Sequence, residues 1–238
     1  MARIVKEQAY KDKRNQILAA AQRLVYTKGY ERMTIGDILA DLQISSGAFY
    51  HYFDSKPAVL AAFIERIQSE TEKPLLPIVQ DPNLSALEKL QGFFATLDRL
   101  RIAHKADVIT LGRVWYNDDN AIVRQKVAEA MVKQRAPLLN QIVQQGVQEG
   151  IFTTPYPDQA GEIILALLQG MGDTHASLLL LPTAGQDELA RIAAVVTTHA
   201  AYMEAIERVL GAPSQSLYRI DAAAAQTWVS ALRDNAPT

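Results

Sequence analysis

Apolar residues recur every three to four positions along most of this 238-residue chain, the period of a helix with one buried face. Ile17, Leu18, Ala21, Leu24 and Val25 form the first stripe and predict a helix over about 13–28, with Gly29 just past its end. Residues 1–13 show no stripe and read as a polar, basic arm that orders on binding, or as the frayed start of that helix. Ile35, Ile38, Leu39 and Leu42 mark a short second helix, and Phe49 with Phe53 the inner side of a third. Val59, Leu60, Phe63, Ile64 and Ile67 predict a fourth from near Lys56. Asp54 or Ser55 caps it, and Pro57 lies in its first turn, where a missing amide costs nothing.

Pro74, Pro77 and Pro82 make 74–84 a loop or a broken helix. Ser85 and Glu88 then form a capping box for a helix to about residue 104, followed by one over about 106–116. Asn117-Asp118-Asp119 reads as a turn and cap, and the next helix runs to about 150 with Pro137 kinking or interrupting it. Further helices are predicted over about 158–181, 187–210 and 221–233, the last pairing Trp228 with Leu232. Neither a strand nor an internal repeat emerges, so the fold class is all-α. A small three-helix unit over 1–56 precedes a larger helical body over 57–238.

The stretch from Thr34 to Lys56 carries the most specific pattern. Thr34 is a good N-cap, and Asp37 three residues on answers it in a capping box and suits the positive end of the helix dipole. Gln43-Ile44 breaks the helix and Ser45 caps the next. At about 100° per residue, Phe49 and Phe53 point to a core, while Gly47, Ala48 and His51 lie opposite. Ser46 and Tyr50 flank one edge of that outer face and Tyr52 the other. An outer face of small residues, hydroxyls and aromatics, with no acid until Asp54, suits a helix lying against DNA.

These residues resemble the DNA-binding region of the TetR (tetracycline-repressor) family of bacterial transcriptional regulators. The matching pieces are Arg14 with Ile17 to Ala21, Gly29-Tyr30-Glu31, Thr34-Ile35, Asp37-Ile38, Ile44-Ser45, Gly47 to Phe53, and Ser55-Lys56. The resemblance implies a helix-turn-helix whose second helix enters the major groove. Tyr50, Tyr52, Lys56 and the hydroxyl and amide of Thr34 would then hold phosphates, and Ser46, Ala48, His51 and the space beside Gly47 would meet bases. The sequence departs from the family pattern at three places. Gly36 stands where a longer polar residue is usual, Leu39 where a small one is, and Gln43 where the turn usually has glycine, so Gln43 is expected at positive φ. Direct readout is therefore expected to be sparse, with Arg3, Lys6, Lys11, Lys13 and DNA shape supplying the rest.

Charge fits that division. The net charge is −2, but residues 1–56 hold nine Lys/Arg and six acids, leaving a basic head on an acidic body. The chain has no cysteine, so neither a disulfide framework nor a thiolate metal site is expected, as in a reducing cytoplasm. The first residues have no apolar core and do not read as a signal peptide. Ile163 to Leu181 is apolar but broken by Gln169, Asp173, His175 and two glycines, which favours a buried helix over a membrane span.

No catalytic constellation stands out, and neither a cofactor nor a metal is expected. The four histidines, His51, His104, His175 and His199, include no i, i+4 pair, and no nucleophile elbow or phosphate-cradling glycine loop is present. His175 and His199 are placed to meet at a dimer seam, as packing histidines or as a metal- or pH-sensing pair. The 158–181 and 187–210 helices carry small residues, among them Gly161, Ala166, Gly170, Gly172 and Ala176, then Ala190, Ala193, Thr197, Ala201 and Ala205. By resemblance, such helices form a four-helix dimer bundle between two copies.

The resemblance also implies an effector pocket in the body. Its candidate lining is Phe63, Phe93, Phe94, Leu97, Trp115, Tyr116, Met131, Leu138 and Met171, with Asn117, Gln169 and Asp173 as polar contacts, which suits a hydrophobic small molecule. The function expected is a homodimeric, ligand-responsive repressor of a pseudo-palindromic operator in the cytoplasm. A DNA-binding regulator controlled by a protein partner, or an all-α enzyme that borrows the head, are the alternatives.

Overall fold

The computed structural model describes residues 2–103, 105, 108, 109, 112, 115, 116, 118–180 and 187–234. Ten α-helices are resolved among them, with no strand: α1 Ala2–Lys28, α2 Ile35–Leu42, α3 Ser46–Tyr50, α4 Lys56–Glu72, α5 Leu76–Gln80, α6 Ala86–Ala103, α7 Ala121–Gln148, α8 Ala160–Leu180, α9 Glu188–Leu210 and α10 Ala222–Asp234. Most of the helix expected over 106–116, together with Asn117 and His104, lies outside the described residues.

The chain divides into two compact units, residues 1–70 with 113–127, and residues 71–112 with 128–238. The first unit thus extends past residue 56 and takes in a second, distant stretch of chain. Its buried apolar side chains include Ile17, Leu18, Ala21, Val25, Ile38, Phe49, Phe53, Val59 and Phe63, all from the stripes read from the sequence, and also Met33, which belongs to none of them. One expectation here is corrected. The helix expected from Lys13 begins at Ala2, so residues 2–13 are the start of that helix and not a separate arm. Their Ala, Arg, Lys, Glu and Gln content favours helix, and two i, i+4 pairs support it: Lys11 with Glu7 at 3.0 Å, and Gln8 with Asp12 at 2.8 Å.

The 118–127 stretch docks on the corner that ends α1. The Tyr30 N–H donates to Asn120 Oδ1 at 2.7 Å, Asn120 Nδ2 donates to the Val25 carbonyl at 3.4 Å, and the Glu31 N–H donates to the Asp119 carbonyl at 3.1 Å. Gly29 sits at φ +84°, and a Cβ there would come within 2.5 Å of the Asp119 Cβ, so only glycine fits.

In the second unit, Leu90, Phe93 and Phe94 of α6, Leu139, Ile142 and Val143 of α7, Ile164 of α8, and Met203, Ile206 and Leu210 of α9 form the main core with Phe152. α7 stays helical through Pro137. The proline-rich 74–84 segment keeps one short helix, α5. α8 runs along α9, and α10 packs on both. The chain after α9 is fastened by Glu207, whose carboxylate is 2% exposed and accepts two bonds of 2.9 Å from the Arg219 guanidinium. It also accepts the backbone N–H groups of Gln215 and Leu217. Burial alone would raise this carboxyl, but those four donors outweigh it and hold it below its ordinary value.

The expectation of a buried α8 is not met within one chain. The helix is long and apolar enough to cross a membrane, yet only 11% of its apolar stretch is buried. Ile163 is exposed, and Leu167, Leu168, Leu178 and Leu179 are half-covered.

Candidate nucleic-acid interface

α2 and α3 are fixed by their caps. Thr34 is extended at φ −118°, ψ 161°, and its Oγ1 accepts the Asp37 N–H at 3.2 Å. Its own N–H donates to Asp37 Oδ2 at 2.7 Å, and its hydroxyl to the same oxygen at 2.6 Å. The capping box expected from the sequence is therefore complete. Lys28 and then Thr34 draw the Asp37 carboxyl down to about 2. Both groups of Thr34 expected to meet phosphate are thus already engaged within the cap. α2 ends at Gln43, which adopts φ 51°, ψ 45°, as the missing turn glycine predicts. Ser45 Oγ accepts the Ala48 N–H at 3.2 Å and caps α3.

α3 presents the face that its spacing predicts. Phe49 and Phe53 are buried, whereas Ser45, Ser46, Gly47, Tyr50 and His51 are exposed and Ala48, Tyr52 and Lys56 half-buried. A Cβ added at Gly47 would meet nothing within 4 Å, so the surface beside it is open. Lys56 turns inward: its Nζ donates to the Glu31 carbonyl at 3.2 Å and lies 4.3 Å from the centre of the Tyr30 ring.

Three rings crowd the end of this surface. Tyr10 of α1 lies 5.7 Å from His51 and 4.8 Å from Tyr52, and His51 lies 4.9 Å from Tyr52. Arg14, one turn on, rests its guanidinium 5.0 Å from the Phe53 ring. Sequence reasoning missed Tyr10, although Tyr10, Arg14, Ile17 and Ala21 follow helical spacing. It also missed the docking of Asp119 and Asn120, for which no local signal exists.

The candidate effector residues divide between the units. Phe63, Trp115 and Tyr116 belong to the first, and Phe94, Leu97, Met131, Gln169 and Asp173 to the second. Phe63 is 2% exposed, 6.2 Å from the Tyr26 ring, and lines a small void with Ala21, Val25, Met33 and Leu60. Arg124 lies 5.5 Å from the ring of Tyr116 and donates to the Trp115 carbonyl. Phe93, Phe94 and Met171 are buried, while Leu97, Met131 and Leu138 are half-buried. Gln169 Nε2 donates to Asp173 Oδ1 at 2.9 Å on the exposed side of α8. An open groove of about 540 Å³ in the second unit is lined instead by α6 and the segment from Gln215 to Tyr218.

His175 and His199 meet inside one chain. Their rings stack at 9° with centres 6.2 Å apart, and Tyr218 abuts His199. Burial, then His175, Arg219 and Arg101, press His199 down to about 4. Burial also lowers His175, against a hydrogen bond to the Val195 carbonyl. Among the described residues no three His, Asp or Glu side chains gather as a metal site would require.

Comparison with known proteins agrees with this geometry. Residues 17–63 match the family model for bacterial regulatory proteins of the tetR family, and residues 115–175 that for a tetracyclin repressor-like C-terminal domain. An uncharacterized HTH-type transcriptional regulator of Lactococcus lactis is 36% identical over 78 residues, 33% of this chain and 40% of that protein. The HTH-type transcriptional repressor NemR of Escherichia coli K12 is 26% identical over 35% of this chain and 42% of its own. The match thus spans about two fifths of these relatives' length. The repressor KstR2 of Mycobacterium tuberculosis matches further, at 25% identity over 59% of this chain and 69% of its own. Among solved structures, a TetR-family regulator of Pectobacterium atrosepticum shares the fold at TM-score 0.59 and 18% identity, covering 87% of this chain and 98% of its own. The SmeT–triclosan complex does so at 0.59 and 19%, covering 88% and 96%. With an amino-terminal helix-turn-helix and a repressor-like carboxy-terminal region both matched, this chain belongs to the TetR family of bacterial regulatory proteins.

Proposed function

We propose that the chain is a transcriptional repressor that binds a pseudo-palindromic operator as a homodimer and leaves it when a hydrophobic small molecule occupies the body. Residues 1–56 serve as the DNA-binding part and 57–238 as the effector and dimerisation part. The observation that carries the reading is the two-sided α3, with Phe49 and Phe53 buried and Ser46, Gly47, Tyr50 and His51 outward at a capped, open surface. That surface fits a major groove, with Tyr50, Tyr52 and Lys56 toward phosphates and Ser46, Ala48 and His51 toward base edges.

The dimer reading rests on the half-covered apolar side chains of α8 and on a stripe of exposed small residues along α9: Ala190, Ala193, Thr197 and Ala201. Small residues let two helices approach closely, and pairing α8 and α9 with their copies would cover this surface. The effector acts only to the extent that it binds the DNA-competent and released conformations differently.

The test is selection of bound sequences from random duplex DNA with the full chain. The expected result is an inverted repeat whose half-sites lie one helical turn, about 34–36 Å, apart. Enrichment of no sequence, or of an unpaired half-site, overturns the reading.

A further inference from the structure

α1 carries a stripe that runs past the core it helps to build. Ala21 and Ile17 are buried in the first unit, Arg14 covers Phe53, and Tyr10 stands against His51 and Tyr52. These four positions are one, two and three turns apart on a single helix face. The helical extension over 2–12 exists in this chain where the apolar pattern predicts none, and it is what brings Tyr10 to α3.

The consequence falls on His51. Its imidazole is exposed at the end of the candidate DNA surface, where an unsupported ring would sample several rotamers. Here it is held edge-on by two rings, Tyr10 at 82° and Tyr52 at 82° between planes, and those two rings also touch each other. Edge-to-face contacts of this kind have a preferred geometry, so three mutually touching rings restrict one another. Tyr52, the next residue along the chain, supplies one of these contacts. Tyr10 adds the second beside it, from a different helix.

We propose that Tyr10 is a positioning residue for sequence readout: its ring, delivered by the extended α1, fixes the orientation of His51 and thereby which base pair of duplex DNA that imidazole recognises. The proposal deepens the DNA-binding reading above and rests on it. Tyr10 itself is 39% exposed and its hydroxyl has no necessary part; the ring carries the effect. A histidine that is both donor and acceptor discriminates bases only when its orientation is fixed.

Binding selections with wild type, Tyr10→Phe, Tyr10→Leu, Tyr10→Ala and His51→Ala test this, alongside thermal melting of each variant. His51→Ala is expected to flatten the preference at one base-pair position per half-site. Tyr10→Leu and Tyr10→Ala should flatten that same position, weakening binding to the preferred site about tenfold, or about 1.4 kcal/mol. Tyr10→Phe should keep the wild-type motif, and a Tyr10→Ala, His51→Ala double variant should equal His51→Ala alone. Tyr10→Leu keeps apolar bulk on α1, so the test stands even where alanine loosens the helix. A wild-type motif in Tyr10→Leu, or flattening at a position that His51→Ala leaves intact, overturns the proposal. Failure of the wild-type chain to enrich any sequence overturns the DNA-binding reading itself and the proposal with it, a result distinct from the other two.

Discussion

Replacing Asn120 by alanine removes the acceptor of the Tyr30 N–H without changing any charge. Asn120 is fully buried and Tyr30 is 7% exposed, so water does not readily replace the missing bond of 2.7 Å. A buried donor left without an acceptor costs about 1–3 kcal/mol. The second bond of Asn120, to the Val25 carbonyl, is long at 3.4 Å, and that carbonyl already accepts the Gly29 N–H at 3.0 Å. Its removal adds little. The expected destabilisation is therefore about 2 kcal/mol, located at the corner from Val25 to Met33.

Hydrogen exchange read by mass spectrometry locates such a destabilisation. Peptides covering 25–34 and 118–123 should exchange about 30-fold faster in Asn120→Ala, the factor that about 2 kcal/mol implies. Peptides covering 139–152 and 203–210, in the other compact unit, should be unchanged. The corner also supplies the Glu31 carbonyl and Tyr30 ring that hold Lys56, so operator affinity should fall together with protection. Unchanged exchange at 25–34, or an equal increase in both units, refutes the reasoning.

Four further outcomes are expected. Glu207→Ala leaves the Arg219 guanidinium and two backbone N–H groups without their acceptor; it should cost about 3 kcal/mol and lower the urea midpoint. Because the Glu207 carboxyl lies below its ordinary 4.5 in the fold, its contribution is full above that pH and is lost as pH falls below it through the lowered folded-state value, so acid should cost the variant less stability than it costs wild type. His199 titrates near 4 in the fold against 6.5 unfolded, so stability should decline as pH drops from 6.5 toward 4, by at most about 3 kcal/mol, and His199→Gln should flatten that slope in urea titrations. Gln43→Gly relieves a left-handed non-glycine residue at the cost of a freer unfolded chain; a gain of about 0.5 kcal/mol, read as a melting point about 1–2 °C higher, is expected. Thr197→Lys, on the exposed stripe of α9, should sediment as a monomer at equilibrium where the unsubstituted chain sediments as the proposed dimer, and an unchanged mass rules that face out.

What the sequence made legible was local. The Thr34 and Ser85 capping boxes, the left-handed Gln43, the Ser45 cap and the buried Phe49 and Phe53 all depend on residues within four positions of one another. What it hid was either long-range or not apolar. Asn120 reaches Tyr30 across 90 residues, and its polar side chain gives no periodic signal. The first turns of α1 are held by propensity, two i, i+4 pairs and Tyr10, so a search for an apolar stripe passes over them. The effector lining failed to resolve for a related reason: Phe63, Phe93 and Phe94 are apolar at helical spacing, which describes a core residue as well as a pocket wall.

Lys56 shows how far a contact expected from sequence depends on what else the side chain does. Its ammonium has three N–H donors; one reaches the Glu31 carbonyl and the charge faces the Tyr30 ring, which leaves capacity toward solvent at a half-buried position. Two roles make different predictions. A phosphate contact releases counterion, so Lys56→Gln should make the dependence of log affinity on log salt shallower by about 1 for each phosphate no longer neutralised. A purely structural role, bracing the Tyr30 corner, should lower affinity at every salt concentration and leave the slope alone. Lys56→Arg separates them further, because a guanidinium keeps the charge and still stacks on Tyr30. Salt titrations of operator binding should therefore give a shallower slope for glutamine and a wild-type slope for arginine. An unchanged slope in Lys56→Gln, with exchange at 25–34 accelerated, would assign Lys56 to the fold of the head and remove it from the DNA surface.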